Sequence, residues 1–230
     1  MKTIGLIGGM SWESTVTYYR IMNEEVKKQL GGFHSAKILL YSVDFAEIEE
    51  CQSKGEWEKC GKILTKAACS LETAGADFII IGTNTMHKVA PQIQSKLHIP
   101  IIHIAEATAV KLSEHHIKKV ALLGTIYTMT QDFYRDKLVE AGIEVIVPNT
   151  ADMEVINHVI YKELCLGIVS LESKKKYCDI IRKLAEEGAE GVILGCTEIG
   201  LLVKQEDSHI PVFDTTLIHA RKAAQLAMMG

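Results

Sequence analysis

The chain has 230 residues, a net charge of −4 and a mean hydropathy of +0.12, with 47% hydrophobic and 23% charged residues. That composition is ordinary for a soluble globular protein, long enough for one large domain or two modest ones. The acidic balance and the lack of a Lys/Arg stripe interleaved with aromatics argue against nucleic acid, and no apolar run approaches a membrane span. The first residues run straight into a strand pattern without a signal peptide, so the expected compartment is the cytoplasm.

Taken in chain order, Thr3–Gly8 reads as a first strand, and Gly8 and Gly9 permit a tight turn into a helix that runs to about Leu30. Ser11 and Ser14 are good caps for it. A nucleotide site fails in detail here, because there is neither G-x-G-x-x-G nor Gly-Lys-Ser/Thr; a plain strand-to-helix turn is the simpler alternative. Lys37–Val43 is a second strand, followed by a polar, acidic loop, Asp44–Gln52. Trp57–Ala74 has helical periodicity, Phe78–Ile81 is a third strand, Thr83–Lys88 opens a helix, and His103 ends a fourth strand. Glu106–Glu114 is helical and Lys118–Gly124 begins a second series, with Thr125–Thr128 as a loop. Gln131–Ala141 is a helix, Glu144–Val147 a strand, and Met153–Gly167 and Glu172–Gly188 are helices. The apolar run Val192–Leu194, a short strand at Val212–Phe213 and a closing helix over Thr215–Met229 complete the chain.

Six cysteines stand at 51, 60, 69, 165, 178 and 196, none in a Cys-x-x-Cys pair and none beside a zinc-like His spacing. Reduced thiols are expected. Cys69 and Cys165 fall within apolar helical patterns and are expected in the core; Cys51, Cys60 and Cys178 have polar neighbours and are expected to be incidental.

The chain contains one of these stretches twice. Gly75-Ala-Asp-Phe-Ile-Ile-Ile-Gly-Thr-Asn-Thr85 matches Gly188-Ala-Glu-Gly-Val-Ile-Leu-Gly-Cys-Thr-Glu198, which sets Thr83 against Cys196. Ile4–Gly9 likewise resembles Val120–Thr125, and Ile99–His103 resembles Ile210–Asp214. Strands alternating with helices, duplicated, imply an α/β fold of two pseudo-symmetric lobes with parallel sheets and a site in the cleft between them. The expected lobes are residues 1–98 with the C-terminal helix at about 215–230, and residues 99–214.

Two similar half-sites that each present a small polar or proton-carrying side chain suit a reaction of near mirror symmetry, such as racemisation α to a carboxylate. Cys196 follows a strand's C-terminal end; if Thr197 begins a helix, its N-terminus favours a thiolate, which makes Cys196 the base and the most readily alkylated thiol. A buried, inert cysteine is the alternative. Asn84, Thr85, Thr197 and the Gly9–Ser11 turn, which includes Met10, supply donors for the charge that develops.

Those residues resemble the cofactor-independent aspartate/glutamate racemases. The motifs that carry the resemblance are Gly5-Leu-Ile-Gly-Gly-Met-Ser-Trp-Glu-Ser-Thr15, Thr83-Asn-Thr-Met-His87, Leu123-Gly-Thr125, Gly195-Cys-Thr-Glu198 and Asp214-Thr-Thr216. The likeness spans essentially the whole chain and is nearest the branch of broad-specificity or L-aspartate/glutamate-specific members. It implies two pseudo-symmetric α/β domains, an acidic amino acid substrate, no pyridoxal phosphate, no metal, and a homodimer. It also implies a site of Thr83 and Cys196 as the catalytic pair, with Met10, Gln52, Asn84, Thr85, Thr125, Lys162 and Thr197 around the substrate. Two positions depart from the family pattern. Thr83 stands where the family usually has a cysteine, and a hydroxyl is a poor base at neutral pH. The loop after the second strand lacks the usual Arg, which leaves Gln52 as a contact for the distal carboxylate and Lys162 as a candidate cation for it, against the simpler reading of Lys162 as a solvated helix-face lysine. His87, one helical turn beyond Thr83, either serves the substrate, by orienting it or lending a proton, or makes a local hydrogen bond. A single-cysteine decarboxylase or isomerase of the same superfamily, and a small-acid binding protein that has lost catalysis, are the alternative functions.

Overall fold

The structure is a computed structural model that describes residues 1–229. The chain divides into two compact units, residues 1–104 with the segment from His219 onward, and Ala105–Ile218.

In the first unit the strands β1 (Ile4–Gly8), β2 (Ile38–Ser42) and β3 (Phe78–Ile81) form a parallel sheet in the order β2-β1-β3. Every residue of β1 and β3 is buried, as a continuous apolar strand requires when helices cover both faces. β1 sits at the centre, with Ile4 in register with both Ile38 and Phe78. Helix α1 (Trp12–Leu30) is capped by Ser11, whose hydroxyl accepts from the Ser14 N–H, and ends at Gly31 with φ +70°. It buries Tyr18, Ile21, Met22 and Val26, one face at helical spacing.

The expected loop at 44–52 is instead helix α2 (Phe45–Ser53), capped by the Asp44 carboxylate at the Ala46 N–H. Ile48, Cys51 and Gln52 recur at three- and four-residue spacing on its buried side, a helical period that outweighs the acidic composition. Cys51 faces inward there, and Cys60 does the same on helix α3 (Trp57–Thr73) beside Leu64, Ala67, Ala68 and Leu71. Cys69 and Cys178 are only half-buried, while Cys165, also half-buried, packs against the core of the second unit, so the expected sorting of thiols is reversed for Cys51, Cys60 and Cys69. All six are free.

Two further expectations change in this unit. Thr85–Val89 is a 3-10 turn ahead of the short helix α4 (Ala90–Gln94), with Pro91 in its first turn. No strand ends at His103: Pro100 O accepts from Ile79 N and Ile102 N donates to Ile79 O, a single bridge at Ile101.

The second unit holds β4 (Lys119–Gly124), β5 (Glu144–Ile146), β6 (Gly191–Gly195) and β7 (Val212–Asp214), all parallel, in the order β5-β4-β6-β7. The order β5-β4-β6 repeats β2-β1-β3, and β7 stands beside β6 where Ile101 touches β3. Helix α5 (Ile104–Glu114) leads into this unit. Thr125 is not in a loop stretch but caps the short α6 (Ile126–Thr130), its hydroxyl accepting from the Thr128 N–H. Helices α7 (Asp132–Glu140), α8 (Thr150–Lys162), α9 (Leu171–Glu186) and α10 (Ile199–Leu202) follow, with Leu164–Leu166 a separate 3-10 turn closed by Gly167 in the left-handed region, and α11 (Thr215–Met228) starts here and continues into the first unit from His219. Ile156, Ile160, Tyr177, Ile181 and Leu184 from α8 and α9 pack with Val192 and Leu194 of β6 as the core. Among the described residues no helix is long and apolar enough to cross a membrane.

Candidate functional site

In each unit the expected site residues gather at the C-terminal ends of the parallel strands. In the first, Gly9 takes φ +88°, and a Cβ there would strike the Val43 carbonyl, so only glycine fits between β1 and the chain leaving β2. Its N–H donates to Thr15 Oγ1 at 2.8 Å, and that hydroxyl donates to Ser11 O at 2.9 Å. This closed turn carries Met10, buried at its apex. Beyond β3, Thr83 is half-buried, while Asn84 and Thr85 are buried. Gln52 reaches toward the same segment from α2, its Nε2 donating to Met86 Sδ at 2.9 Å in the interior.

His87 has a definite structural task. Its Nε2 accepts from the Ile104 N–H at 3.2 Å, so the proton sits on Nδ1, which donates to Thr83 O at 2.8 Å. Burial, then the neighbouring His103 and His219 imidazoles, hold its pKa well below the ordinary value. The ring is therefore neutral with both nitrogens engaged, and of the two roles expected for it the hydrogen-bonding one is realised. His103 packs on it at 4.6 Å between ring centroids and His219 at 5.6 Å. His219 Nε2 donates to Ile102 O at 2.8 Å and Nδ1 accepts from the Tyr18 hydroxyl at 2.9 Å. Burial brings His219 down to about 4.

In the second unit, β4 and β6 end together at the paired glycines Gly124 and Gly195. A Cβ on either would lie 2.8 Å from a carbonyl oxygen of the other strand, so the strands run close and side chains begin only at Thr125 and Cys196. Cys196 is 8% exposed, Thr197 7% and Glu198 2%. The thiol donates to Glu198 Oε2 at 2.9 Å, and the Thr197 hydroxyl donates to the same oxygen at 2.8 Å. The sulfur in turn accepts from the Glu198 backbone N–H. Here the sequence expectation fails. Thr197 does not begin a helix; α10 starts at Ile199 and has four residues, too short to lower a thiol pKa. Burial first, and then the Glu198 charge, push the Cys196 thiol well above its ordinary value, so the resting side chain is protonated at neutral pH.

Asp214 ends β7 and caps α11, its Oδ1 accepting from the Thr216 and Leu217 N–H groups at 2.9 and 3.2 Å, while Thr215 Oγ1 donates to Leu194 O at 2.8 Å and ties the helix to β6. Lys162 lies apart from these groups by character: it is the exposed last residue of α8, without an ion pair among the described residues. Glu198 is the residue that sequence reasoning passed over. It stood in the quoted motif, yet only the fold-back of its side chain onto Cys196 reveals its part. Among the described residues no group of His, Cys, Asp and Glu is arranged to hold a metal ion.

The family model described as Asp/Glu/Hydantoin racemase matches residues 7–223. The broad specificity amino-acid racemase RacX of Bacillus subtilis (strain 168) is 26% identical over 224 residues, 95% of each chain. The crystal structure of a candidate Asp/Glu racemase from Yersinia pestis is 56% identical with a TM-score of 0.93, covering 99% of this chain and 100% of that one. An aspartate racemase homologue from Pyrococcus horikoshii OT3 is 40% identical with a TM-score of 0.85 at the same coverage.

Proposed function

The chain belongs to the Asp/Glu/hydantoin racemase family, and from that premise we propose that it racemises acidic amino acids without a cofactor, using Cys196 as the base at Cα. The observation that carries the reading is the matched placement of Thr83 and Cys196. Each is the first residue after the glycine that closes an equivalent strand, β3 in one unit and β6 in the other.

In the proposed reaction, the Cα–H bond of the L-enantiomer breaks and its proton passes to Cys196 Sγ. The electron pair spreads into the substrate carboxylate, where hydroxyl and amide donors from Thr197, Thr125, Asn84, Thr85 and the Met10 turn hold it. A proton relayed from water at Thr83 then reaches the opposite face, since a threonine hydroxyl carries a proton without serving as a base. Gln52 and Lys162 meet the distal carboxylate. Trp12, Val16 and Tyr19, on one face of α1 and 65, 55 and 55% exposed, support self-association as a homodimer; light scattering at micromolar concentration checks this, and a monomer refutes it.

The test is α-proton exchange in deuterated water, followed by proton NMR on L-aspartate, L-glutamate and neutral amino acids, with no cofactor added. Exchange should be fastest on the acidic pair and abolished in Cys196→Ser with the fold intact. Undiminished exchange in that variant would remove Cys196 as the base, and exchange on no amino acid would overturn the racemase reading.

A further inference from the structure

Cys196 is assigned a role that its surroundings oppose. A base at Cα must accept a proton through a sulfur lone pair, and a thiol that keeps its own proton is a weak acceptor. Burial and the adjacent carboxylate hold the pKa of this thiol well above its ordinary value, so the resting sulfur keeps its proton at pH 7. The thiol proton nevertheless has a defined destination. It points at Glu198 Oε2 over 2.9 Å, inside the protein, at a carboxylate that is 2% exposed.

We propose that Cys196 acts as a relay: as the substrate proton arrives at Sγ, the thiol proton moves to the Glu198 carboxylate. This rests on the reading of Cys196 as the group that takes the Cα proton. The bonds balance. Cα–H breaks and leaves its electron pair on Cα, a new S–H bond forms from a sulfur lone pair, the old S–H bond leaves its pair on sulfur, and an O–H bond forms on Oε2. Glu198 later returns this proton to water, while one proton enters from water on the opposite face. No free thiolate beside a second anion is required, which a buried site would penalise heavily.

Three local features fit the transfer. The Thr197 hydroxyl donates to the same Oε2 at 2.8 Å and fixes the carboxyl for the incoming proton. The Glu198 N–H donates to sulfur and steadies negative charge as it passes through. The other titratable groups near the sulfur are Cys165, in the 3-10 turn after α8, and Tyr177 on α9; Tyr177 donates its hydroxyl to Ile156 O at 3.0 Å, and burial raises its pKa. Tyr177 spends its proton on that carbonyl, and the thiol proton of Cys196 is aimed at the Glu198 carboxylate. Since it acts through Cys196, Glu198 is a positioning residue for that proton.

The experiment follows α-deuterium exchange of L-aspartate between pH 6 and 8 in the natural protein, Glu198→Gln, Glu198→Asp and Cys196→Ser. Alkylation of Cys196 by iodoacetamide is read by mass spectrometry over the same range. A relay keeps its proton within the pair, so exchange in the natural protein should be flat with pH. In Glu198→Gln the thiol must be ionised by solvent, so exchange should be at least about tenfold lower at pH 6 and rise about tenfold per pH unit. Its Cys196 should also alkylate faster than in the natural protein, because a negative charge beside the sulfur is gone. Glu198→Asp, which keeps a carboxylate, should recover part of the flat profile. A purely structural role predicts slower alkylation together with a flat, depressed exchange rate, and that outcome overturns the proposal, as does an unchanged profile in Glu198→Gln. Should the Gln variant fail to fold, a tenfold-per-unit rise in the natural protein itself overturns it. Exchange that survives in Cys196→Ser condemns the underlying assignment of the base instead.

Discussion

Replacement of His219 by Gln tests whether the neutral imidazole cluster stabilises the first unit in a pH-dependent way. His219 titrates at about 4 in the fold against an ordinary 6.5. Above pH 6.5 the ring is neutral in the folded and unfolded chain alike, so it contributes no pH dependence. Between 6.5 and 4 the unfolded chain binds a proton that the folded chain does not. Stability present above 6.5 is therefore lost as pH falls, by about 2 kcal/mol at pH 5.0 and about 3 kcal/mol once pH 4 is passed. His87, depressed by burial and by His103 and His219, acts in the same direction. In His219→Gln the amide can still donate toward Ile102 O, but the Tyr18 hydroxyl loses its acceptor, a cost of about 1–3 kcal/mol at pH 7.5. Urea unfolding followed by tryptophan fluorescence suits the question, because both tryptophans, Trp12 and Trp57, lie in the unit that holds His219. The variant should be less stable at pH 7.5, and its loss between pH 7.5 and 5.0 should be about 2 kcal/mol smaller than that of the natural protein. An equal loss in both proteins would refute the claim that His219 is held neutral.

Two other predictions concern the site. If Thr83 limits one direction, Thr83→Cys should raise the initial rate from D-aspartate severalfold more than that from L-aspartate; equal rates from both enantiomers in the natural protein would show that Thr83 is not limiting. In native alkylation near pH 7, half-buried Cys69 should be labelled well before Cys196, Cys51 or Cys60, and peptide mass spectrometry showing Cys196 first would contradict the protonated, buried thiol described above.

What could be read from the residues, and what could not, divides along physical lines. The inner strands were plain because a buried parallel strand is an unbroken apolar run, and Ile79–Ile81 and Val192–Leu194 are such runs with a glycine at their ends. The duplication was plain for the same reason. Composition misled at 44–52, where four acids hid the spacing of Phe45, Ile48 and Gln52, and at 99–103, where the apolar signal is a strand's but Pro100 has no N–H to extend the ladder. The candidate site was legible in its residue types and not in its protonation. Whether a cysteine after a strand is thiol or thiolate depends on the length of the next helix and on where a neighbouring carboxylate folds. The tautomer of His87 depends on an N–H seventeen residues away. No local pattern encodes either.

The His219–Tyr18 hydrogen bond joins residues 201 positions apart, and the Lys2 N–H likewise donates to Ala227 O. The first unit is thus assembled from the two extremes of the chain, whereas the second is one uninterrupted segment. On the ribosome this inverts the usual order, in which amino-terminal domains finish first. The second unit has all its strands before the closing helix exists, while the first has its sheet early and its last imidazole only once His219 has been added. A nascent chain stalled after Ile218 should therefore resist proteolysis across 105–218 and remain cleavable within 1–104.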